Sequence, residues 1–470
     1  MKLKILKIFC AVLFGSSYFL LPTSCYSADL PPGFEVYFNN PNGAQDLNAP
    51  GLDFRFKNYV DLASNTTIYA SFYEIDNSTV VAALNSALNR GCTVYVISDD
   101  SDGNTTQYWQ LTTTNKIFGN GSAIMHNKFC VIEGSSVWTG SWNATENCTN
   151  KNNNNVIVMR STAVASIYQK EFSEMYGSPL IAGTSHFGSA KTATSNNGKT
   201  EYVGTTRVDI YFSPYSSPQN TNTVIKNVLA SATGSIYFAL FDFTDGSVGL
   251  GDLVKNGIKV TGIFEAQQIS SFGGAEFSQY TSLLSSGARV TVDGNPYKLH
   301  DKFAIVDPLT SNAKTITGSH NWSNNANTVN DENTLVIYSE SITEKYYEEF
   351  QRLYKVAAGS TAPYTAVPVK AVENVIVYPS PITGNSATIG FNLSANVTSA
   401  VVKLYTLAGF LAKEIPVPNI TSGYSEVIWN CKNDSDEKVA SGIYIANVEA
   451  TTPDGTFRKI KKFAVIKGKQ

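Results

Sequence analysis

The middle of the chain is written twice, and any fold it adopts must accommodate both copies. The first copy opens with Val36, Tyr37, Phe38 and Pro41, the second with Ile210, Tyr211, Phe212 and Pro214. Each continues through a helical stretch into an apolar strand, Ile68 to Ile75 and Ile236 to Phe243. A helix, a glycine and a further strand follow in each, at Arg90-Gly91-Cys92-Thr93-Val94 and Asn256-Gly257-Ile258-Lys259-Val260. Downstream, His126 and Lys128 match His300 and Lys302, and Gly140-Ser141-Trp142-Asn143 matches Gly318-Ser319-His320-Asn321. Asn155 follows Asn143 at the spacing at which Asn333 follows Asn321, and Phe172 and Tyr176 match Phe350 and Tyr354. The register breaks only where Pro308 to Thr317 replaces the shorter Gly134 to Thr139. Strands alternating with helices predict an α/β fold of two duplicated halves, each a mixed or parallel sheet with helices on its faces.

Composition divides the chain around this repeat. Its 470 residues are enough for more than one core. Lys2, Lys4 and Lys7 precede an apolar run from Ile8 to Leu21 and then small, polar residues. This predicts a secretory signal peptide over residues 1–28, cut near Ser27 or Ala28, and a secreted, periplasmic or cell-surface bacterial protein. Cys25 leaves lipoprotein processing open as an alternative, although Pro22 stands where a lipobox has leucine. The halves are read as residues 29–182 and 201–356. A linker rich in Gly, Ser, Thr and Asn lies between them at 183–200, and one rich in Ala, Pro and Thr follows at 357–370. Residues 371–470 carry short alternating strands between turn residues, which predicts a β-sandwich. Residues 29–370 have a net charge of −8, which argues against tight non-specific binding of nucleic acid but leaves room for a small basic site. Beyond the leader stand Cys92, Cys130, Cys148 and Cys431. None form a C-x-x-C pair, so no zinc site is expected. Export permits disulfides, but the spacing pairs none of them, and Cys130 reads as a buried thiol.

The duplicated segment carries the chemistry. Its pattern is H-x-K, four residues, an acid, a turn, and G-S-x-N: His126, Lys128, Glu133, Ser141, Asn143, and His300, Lys302, Asp307, Ser319, Asn321. On a regular strand the His and Lys, two apart, share a face, whereas Glu133 and Asp307, seven after the His, take the other. Those acids are therefore read as structural, tying down the turn that follows. Ser and Asn of G-S-x-N are placed beside the His–Lys pair. Imidazole is a nucleophile and proton carrier near neutral pH. Lysine charge and amide or hydroxyl donors stabilise a phosphate. Two copies supply two of each around one phosphodiester, with no cofactor or metal. Of the other histidines, His186 falls in the linker and reads as solvated. His320 has Trp142 as its counterpart and reads as local packing, as do Trp138, Trp142 and Trp322.

At these residues the chain resembles the phospholipase D superfamily over about residues 34–356. The resemblance implies two halves about a pseudo-twofold axis, one shared active site, a covalent phosphohistidine and no metal requirement. It fixes phosphodiester chemistry better than substrate. Phospholipid is preferred, with peripheral membrane contact; a secreted endonuclease is the alternative, and a non-catalytic adhesion protein the third reading. Glu133 stands where the family has Asp. The family also has an acid after G-S-x-N that supports the histidine of the other half. Glu332 fits that place after Asn321, but Asn154, after Asn143, is neutral. The implied pairing is Glu332 with His126 and Asn154 with His300, and hence His126 as nucleophile and His300 as general acid. The tail resembles an immunoglobulin-like domain of the flagellar-hook-capping and secretion-tail type. The residues that carry this likeness are Val377-Tyr378-Pro379, Leu404-Tyr405-Thr406-Leu407-Ala408-Gly409, Trp429 and Val439-Ala440-Ser441-Gly442-Ile443-Tyr444. It implies a module that binds the cell surface or secretion machinery.

Overall fold

The computed structural model describes residues 29–39, 41, 51–102, 106–119, 124–177, 180–181, 183–191, 198–215, 220–269, 274–357, 371–393, 397–420, 423–452 and 455–467. Residues 1–28, the expected leader with Cys25, and residues 358–370 of the second expected linker lie outside them.

The first half is a seven-stranded sheet in the order β1-β7-β6-β5-β2-β3-β4. Its strands are β1 Phe34–Phe38, β2 Thr67–Phe72, β3 Thr93–Ser98, β4 Lys116–Phe118, β5 Lys128–Ile132, β6 Ser136–Gly140 and β7 Asn155–Met159. The second half continues with β8 Lys199–Val203, β9 Thr206–Ser213, β10 Ser235–Leu240, β11 Lys259–Phe264, β12 Arg289–Val292, β13 Lys302–Val306, β14 Lys314–Gly318 and β15 Glu332–Tyr338. Its order, β8-β9-β15-β14-β13-β10-β11-β12, repeats the first with one extra edge strand. β2 pairs parallel with β3 and antiparallel with β5, and β10 pairs likewise with β11 and β13, so each sheet is mixed.

Side-chain alternation along each central strand feeds two cores. Phe129 and Val131 of β5 face a cluster that also holds Phe303 and Ile305 of β13. This shared core contains Tyr168, Phe172 and Met175 of helix Thr162–Tyr176, and Tyr346, Phe350 and Leu353 of helix Glu340–Ala357. Cys130 and Ile132 face the other way, toward helices Leu52–Val60 and Ser78–Asn89, and Ala304 and Val306 face the matching outer core of the second half. The matched Phe and Tyr of the two repeats therefore lie where the halves meet.

The inter-half segment departs from the expected linker. Lys199 and Thr200 already belong to β8, because Lys199 pairs with Ile210 and extends the sheet edge. Phe187, Gly188 and Lys191 are buried, although His186 is exposed as expected. The tail forms a three-stranded sheet (Val372–Tyr378, Ala387–Leu393, Gly423–Trp429) and a four-stranded one (Leu411–Pro416, Ser399–Thr406, Gly442–Thr452, Gly455–Val465). They enclose Phe391, Leu404, Trp429 and Phe463. Among the described residues no helix is long and apolar enough to cross a membrane.

Candidate active site

Each motif histidine sits just before its strand rather than on it: β5 starts at Lys128 and β13 at Lys302. Short β-bridges between the halves fix both histidines, Met125 with Asp331 and Asn153 with Leu299. The Asp331 amide donates to the Ile124 carbonyl at 2.9 Å, and the His300 amide to that of Asn153 at 3.0 Å. Each bridge delivers the residue after it to the other half's imidazole. His126 Nδ1 lies 2.7 Å from Glu332 Oε1, and His300 Nδ1 lies 2.8 Å from Asn154 Oδ1. The crossed pairing implied by the family resemblance is thus the observed geometry.

Hydrogen bonding also settles how Asn154 is turned. Its Nδ2 donates to the carbonyls of Cys148 (3.0 Å) and Asn152 (3.2 Å), while Oδ1 accepts from Ser141 Oγ at 3.1 Å. Oδ1 is then an acceptor for Nδ1–H of His300, and a Glu332 carboxylate is the same for His126. Both rings keep Nε2 for a substrate. Ser319 Oγ donates to Glu332 Oε2 at 2.6 Å. The two serines are fully buried beneath the site, where they hold the histidines' partners, and do not stand beside the His–Lys pair as the spacing suggested.

The glycine before each serine is dictated by backbone approach. Gly140 (φ +152°) and Gly318 (φ +141°) would place a Cβ 2.2 Å from the Asn155 and Asn333 carbonyl oxygens. Only without it can the Ser141 and Ser319 amides reach those same carbonyls, each at 3.0 Å. Asn155 and Asn333 then cross the interface. Asn155 donates to Asp301 Oδ1 (2.8 Å) and accepts from Thr317 and Tyr346; Asn333 donates to Asn127 Oδ1 (2.9 Å) and accepts from Thr139 and Tyr168. Their equal spacing in the repeat was the only sequence signal of this role.

A cleft of about 990 Å³ opens over the pair, lined by His126, His300, Asn143 and Asn321 among others. Lys128 and Lys302 are buried beside it, each Nζ donating to the carbonyl of its own histidine, at 2.7 and 2.8 Å. Tyr73 packs edge-on against His126, and Phe241 lies 5.0 Å from His300, each also next to its lysine. Glu74 and Asp242 follow these rings and line the cleft as well. Cys148 lies 3.9 Å from His300 Nδ1. These residues were missed because they lie outside the H-x-K and G-S-x-N segments. The matched positions of Tyr73 and Phe241 at the ends of β2 and β10 were the available clue. Cys92, Cys130, Cys148 and Cys431 are buried free thiols, as expected for Cys130.

Burial dominates the electrostatics. It holds both imidazoles well below their usual range, helped by the charges of Lys128 and Lys302. It lowers Lys128 to about 8, and, with repulsion from Lys128, Lys302 to about 7. It raises Glu332 to about 8, opposed by Lys128 and the Ser319 hydroxyl. An arriving phosphate anion reverses this for both lysines, since it favours their charged forms.

The two motif acids sit far from this chemistry, at the opposite ends of their strands, about 16 Å from the lysines at the ordinary rise of a strand. Asp307 accepts from the Thr233, Gly234 and Ser235 amides at 2.6–2.8 Å and from Asn312 Nδ2. It therefore ties the turn entering β10 as well as the one following its own strand. Glu133 holds no turn: it accepts from Tyr69 OH at 3.2 Å and Gln169 Nε2 at 3.0 Å. A longer side chain reaches past the turn amides to the neighbouring helix. His320 is buried, and neither of its ring nitrogens has a hydrogen-bond partner; Trp138, Trp142 and Trp322 are core. Among the described residues no cluster of His, Cys, Asp and Glu could hold a metal.

Comparison with known proteins follows the same division. A family model described as "Cardiolipin synthase, PLD-like domain" matches residues 58–176 and 225–354, and one for the FlgD Ig-like domain matches residues 380–454. Human mitochondrial cardiolipin hydrolase is 31% identical over 129 residues, 27% of this chain and 48% of that protein. A phospholipase D from Rickettsia conorii is 26% identical over 138 residues, 29% of this chain and 65% of that protein. The chain spans about half to two-thirds of the length of the curated relatives it matches. The crystal structure of a phosphatidylserine synthase from Haemophilus influenzae shares the fold, with a TM-score of 0.51 at 12% identity over 68% of this chain and 86% of that one.

Proposed function

The chain belongs to the phospholipase D superfamily, and from that premise we propose that it hydrolyses the phosphodiester of phospholipid head groups through a phosphohistidine on His126. One observation carries the reading: two histidines from different halves line one cleft, each held at Nδ1 by a residue of the opposite half, with two buried lysines beside them. His126 Nε2 attacks phosphorus while Lys128, Lys302 and the amides of Asn143 and Asn321 hold the non-bridging oxygens. His300, neutral in the free protein but charged once the substrate's phosphate anion offsets its burial, gives its Nε2 proton to the departing oxygen. It then takes a proton from water, which displaces His126 from phosphorus.

His126 is the nucleophile because a carboxylate on Nδ1 stabilises the cationic phosphohistidine, whereas an amide leaves His300 readier to give up its proton. Lipid is preferred over nucleic acid because the matched relatives are named for lipid substrates and because residues 29–370 are acidic. An endonuclease is the second reading. Exposed Tyr297, with Lys151 5.5 Å from its ring and Lys298 beside it in the cleft lining, is the kind of surface on which a base stacks. The same proposal places the protein outside the cytoplasm, through the leader at residues 1–28, with the tail as an attachment module. The test is purified protein given phosphatidylcholine vesicles or plasmid DNA, with EDTA present. Choline release supports the lipase, nicking alone supports the nuclease, and neither activity supports a non-catalytic surface protein.

A further inference from the structure

The buried Lys191 lies in the segment that the sequence presents as linker. Its side chain is 1% exposed, and Nζ reaches Glu171 Oε1 at 2.6 Å, Asp331 Oδ1 at 2.8 Å and the Ser213 carbonyl at 3.1 Å. Two of these partners flank one residue. Asp331 precedes Glu332 in the chain, and Ser213 pairs with Glu332 across the β9–β15 ladder. The Gly188 amide, in the same segment, donates to both oxygens of Asp331, at 2.9 and 3.0 Å. Asp331 also forms the bridge to Met125, the residue before His126. Glu171 comes from the helix Thr162–Tyr176 of the first half, so the ammonium ties both halves and the segment joining them.

The equivalent place in the other half is built differently. Asn153 matches Asp331, and its side chain accepts from Asn295 Nδ2 at 2.6 Å, an amide that also donates to the Lys151 and Lys298 carbonyls. At this matched position the His300 side has a neutral amide where the His126 side has a buried ion cluster, although the Leu299 amide beside it donates to the buried Glu265 carboxylate. A buried ion pair is a costly way to fasten two elements, since desolvation offsets most of the attraction. The cluster's place on both neighbours of Glu332 gives it a second use.

We infer that Lys191 is a positioning residue, which sets the Glu332 carboxylate on His126 Nδ1 by fixing Asp331 and the Ser213 main chain. The inference rests on the proposed role of His126 but has a readout independent of turnover. The charged groups around Lys191 are Glu171 and Asp331, with Glu174 one step away through Tyr215, whose hydroxyl donates to it at 2.8 Å. The test uses Lys191→Met and a Lys191→Met/Glu171→Gln double variant, which removes a stranded carboxylate so that the protein folds. Long-range 1H–15N NMR of the ring nitrogens reports the Nδ1 hydrogen bond of each histidine. Both variants are expected to lose the carboxylate signature at His126 and keep the His300 signals, and to lower kcat by about 10- to 100-fold with KM nearly unchanged, the size of loss that a misplaced catalytic group brings. A folded variant of lower Tm with an unaltered His126 signal and normal kcat overturns the inference and leaves Lys191 as a staple. If the wild-type protein turns over no phosphodiester, the functional reading fails while the NMR comparison still decides the positioning claim.

Discussion

His126 rests its inner ring nitrogen on a carboxylate, and His300, at the matching point of the other half, rests the same nitrogen on an amide. Nearly everything around the two rings is otherwise paired: lysine with lysine, Ser141 with Ser319, Asn143 with Asn321, Tyr168 with Tyr346. A duplicated fold left to itself gives two equivalent histidines. A reaction that needs one attacker and one proton donor needs them to differ, and the partner of Nδ1 differs in charge, while Asp301 against Asn127 and Phe241 against Tyr73 differ as well. Glu332 favours a positively charged His126, whereas Asn154 only orients its partner. The comparison also shows that symmetry ends one layer further out, at Lys191 and Asp331 on one side and Asn295 and Asn153 on the other.

The comparison can be broken at several depths. Removing either ring has the largest expected effect: His126→Ala and His300→Ala each lose at least about a thousandfold in kcat with the fold intact, as for members of other catalytic units. They should differ with an activated substrate. A nitrophenolate leaving group needs no proton, so His300→Ala releases a burst of nitrophenol and His126→Ala none. Equal behaviour of the two variants removes the division of labour. Next, Glu332→Gln should cost on the order of 100-fold in kcat, since it keeps the shape and loses the charge. Asn154→Asp should cost less than about tenfold, because the amide only orients the ring. Steady-state kinetics on the two folded variants checks the order.

The lysines set a pH limit shared by both halves. Because Lys302 titrates at about 7 and Lys128 at about 8, raising the pH removes charge from the phosphate site in the free protein. Glu332, held at about 8, gains its carboxylate over the same range, so the alkaline limb of kcat/KM should fall from about pH 8, where ionisation of Glu332 no longer offsets the lost lysine charge. A limb near the ordinary lysine value contradicts the burial argument. Smaller still are changes at the strand ends. Asp307→Asn should lower stability by about 1–3 kcal/mol, through its amide network, and spare kcat. Glu133→Asp should be nearly neutral in both. Deleting residues 371–470 should leave hydrolysis intact, as their core is a cluster of its own.

Much of this was legible in the repeat. Equal spacing identified the two histidines, lysines and asparagines, and the parity of a strand put Glu133 and Asp307 off the reactive face. Parity failed at the serines, because G-S-x-N is not a strand. Gly140 and Gly318 turn the chain so that the hydroxyls run under the site to Asn154 and Glu332. Lys191 was hidden by composition, since a Gly- and Ser-rich stretch reads as solvated whether or not one of its side chains is buried. Cys148, Asn295 and the cross-half bonds of Asn155 and Asn333 belong to contacts between distant segments, which no local pattern encodes. The crossing of Glu332 to His126 came from family resemblance, and its physical cause, the Met125–Asp331 bridge, is visible only in three dimensions.

The central claim is that two like histidines have unlike tasks. The direct measurement is an alkaline quench, which spares the acid-labile phosphorus–nitrogen bond, during turnover of a phosphorus-labelled phospholipid, followed by mapping of the labelled peptide. The account predicts label on the peptide that contains His126, and accumulation there in His300→Ala when the labelled substrate is a nitrophenyl ester, whose leaving group needs no proton. Label on the peptide that contains His300, with none at His126, contradicts it.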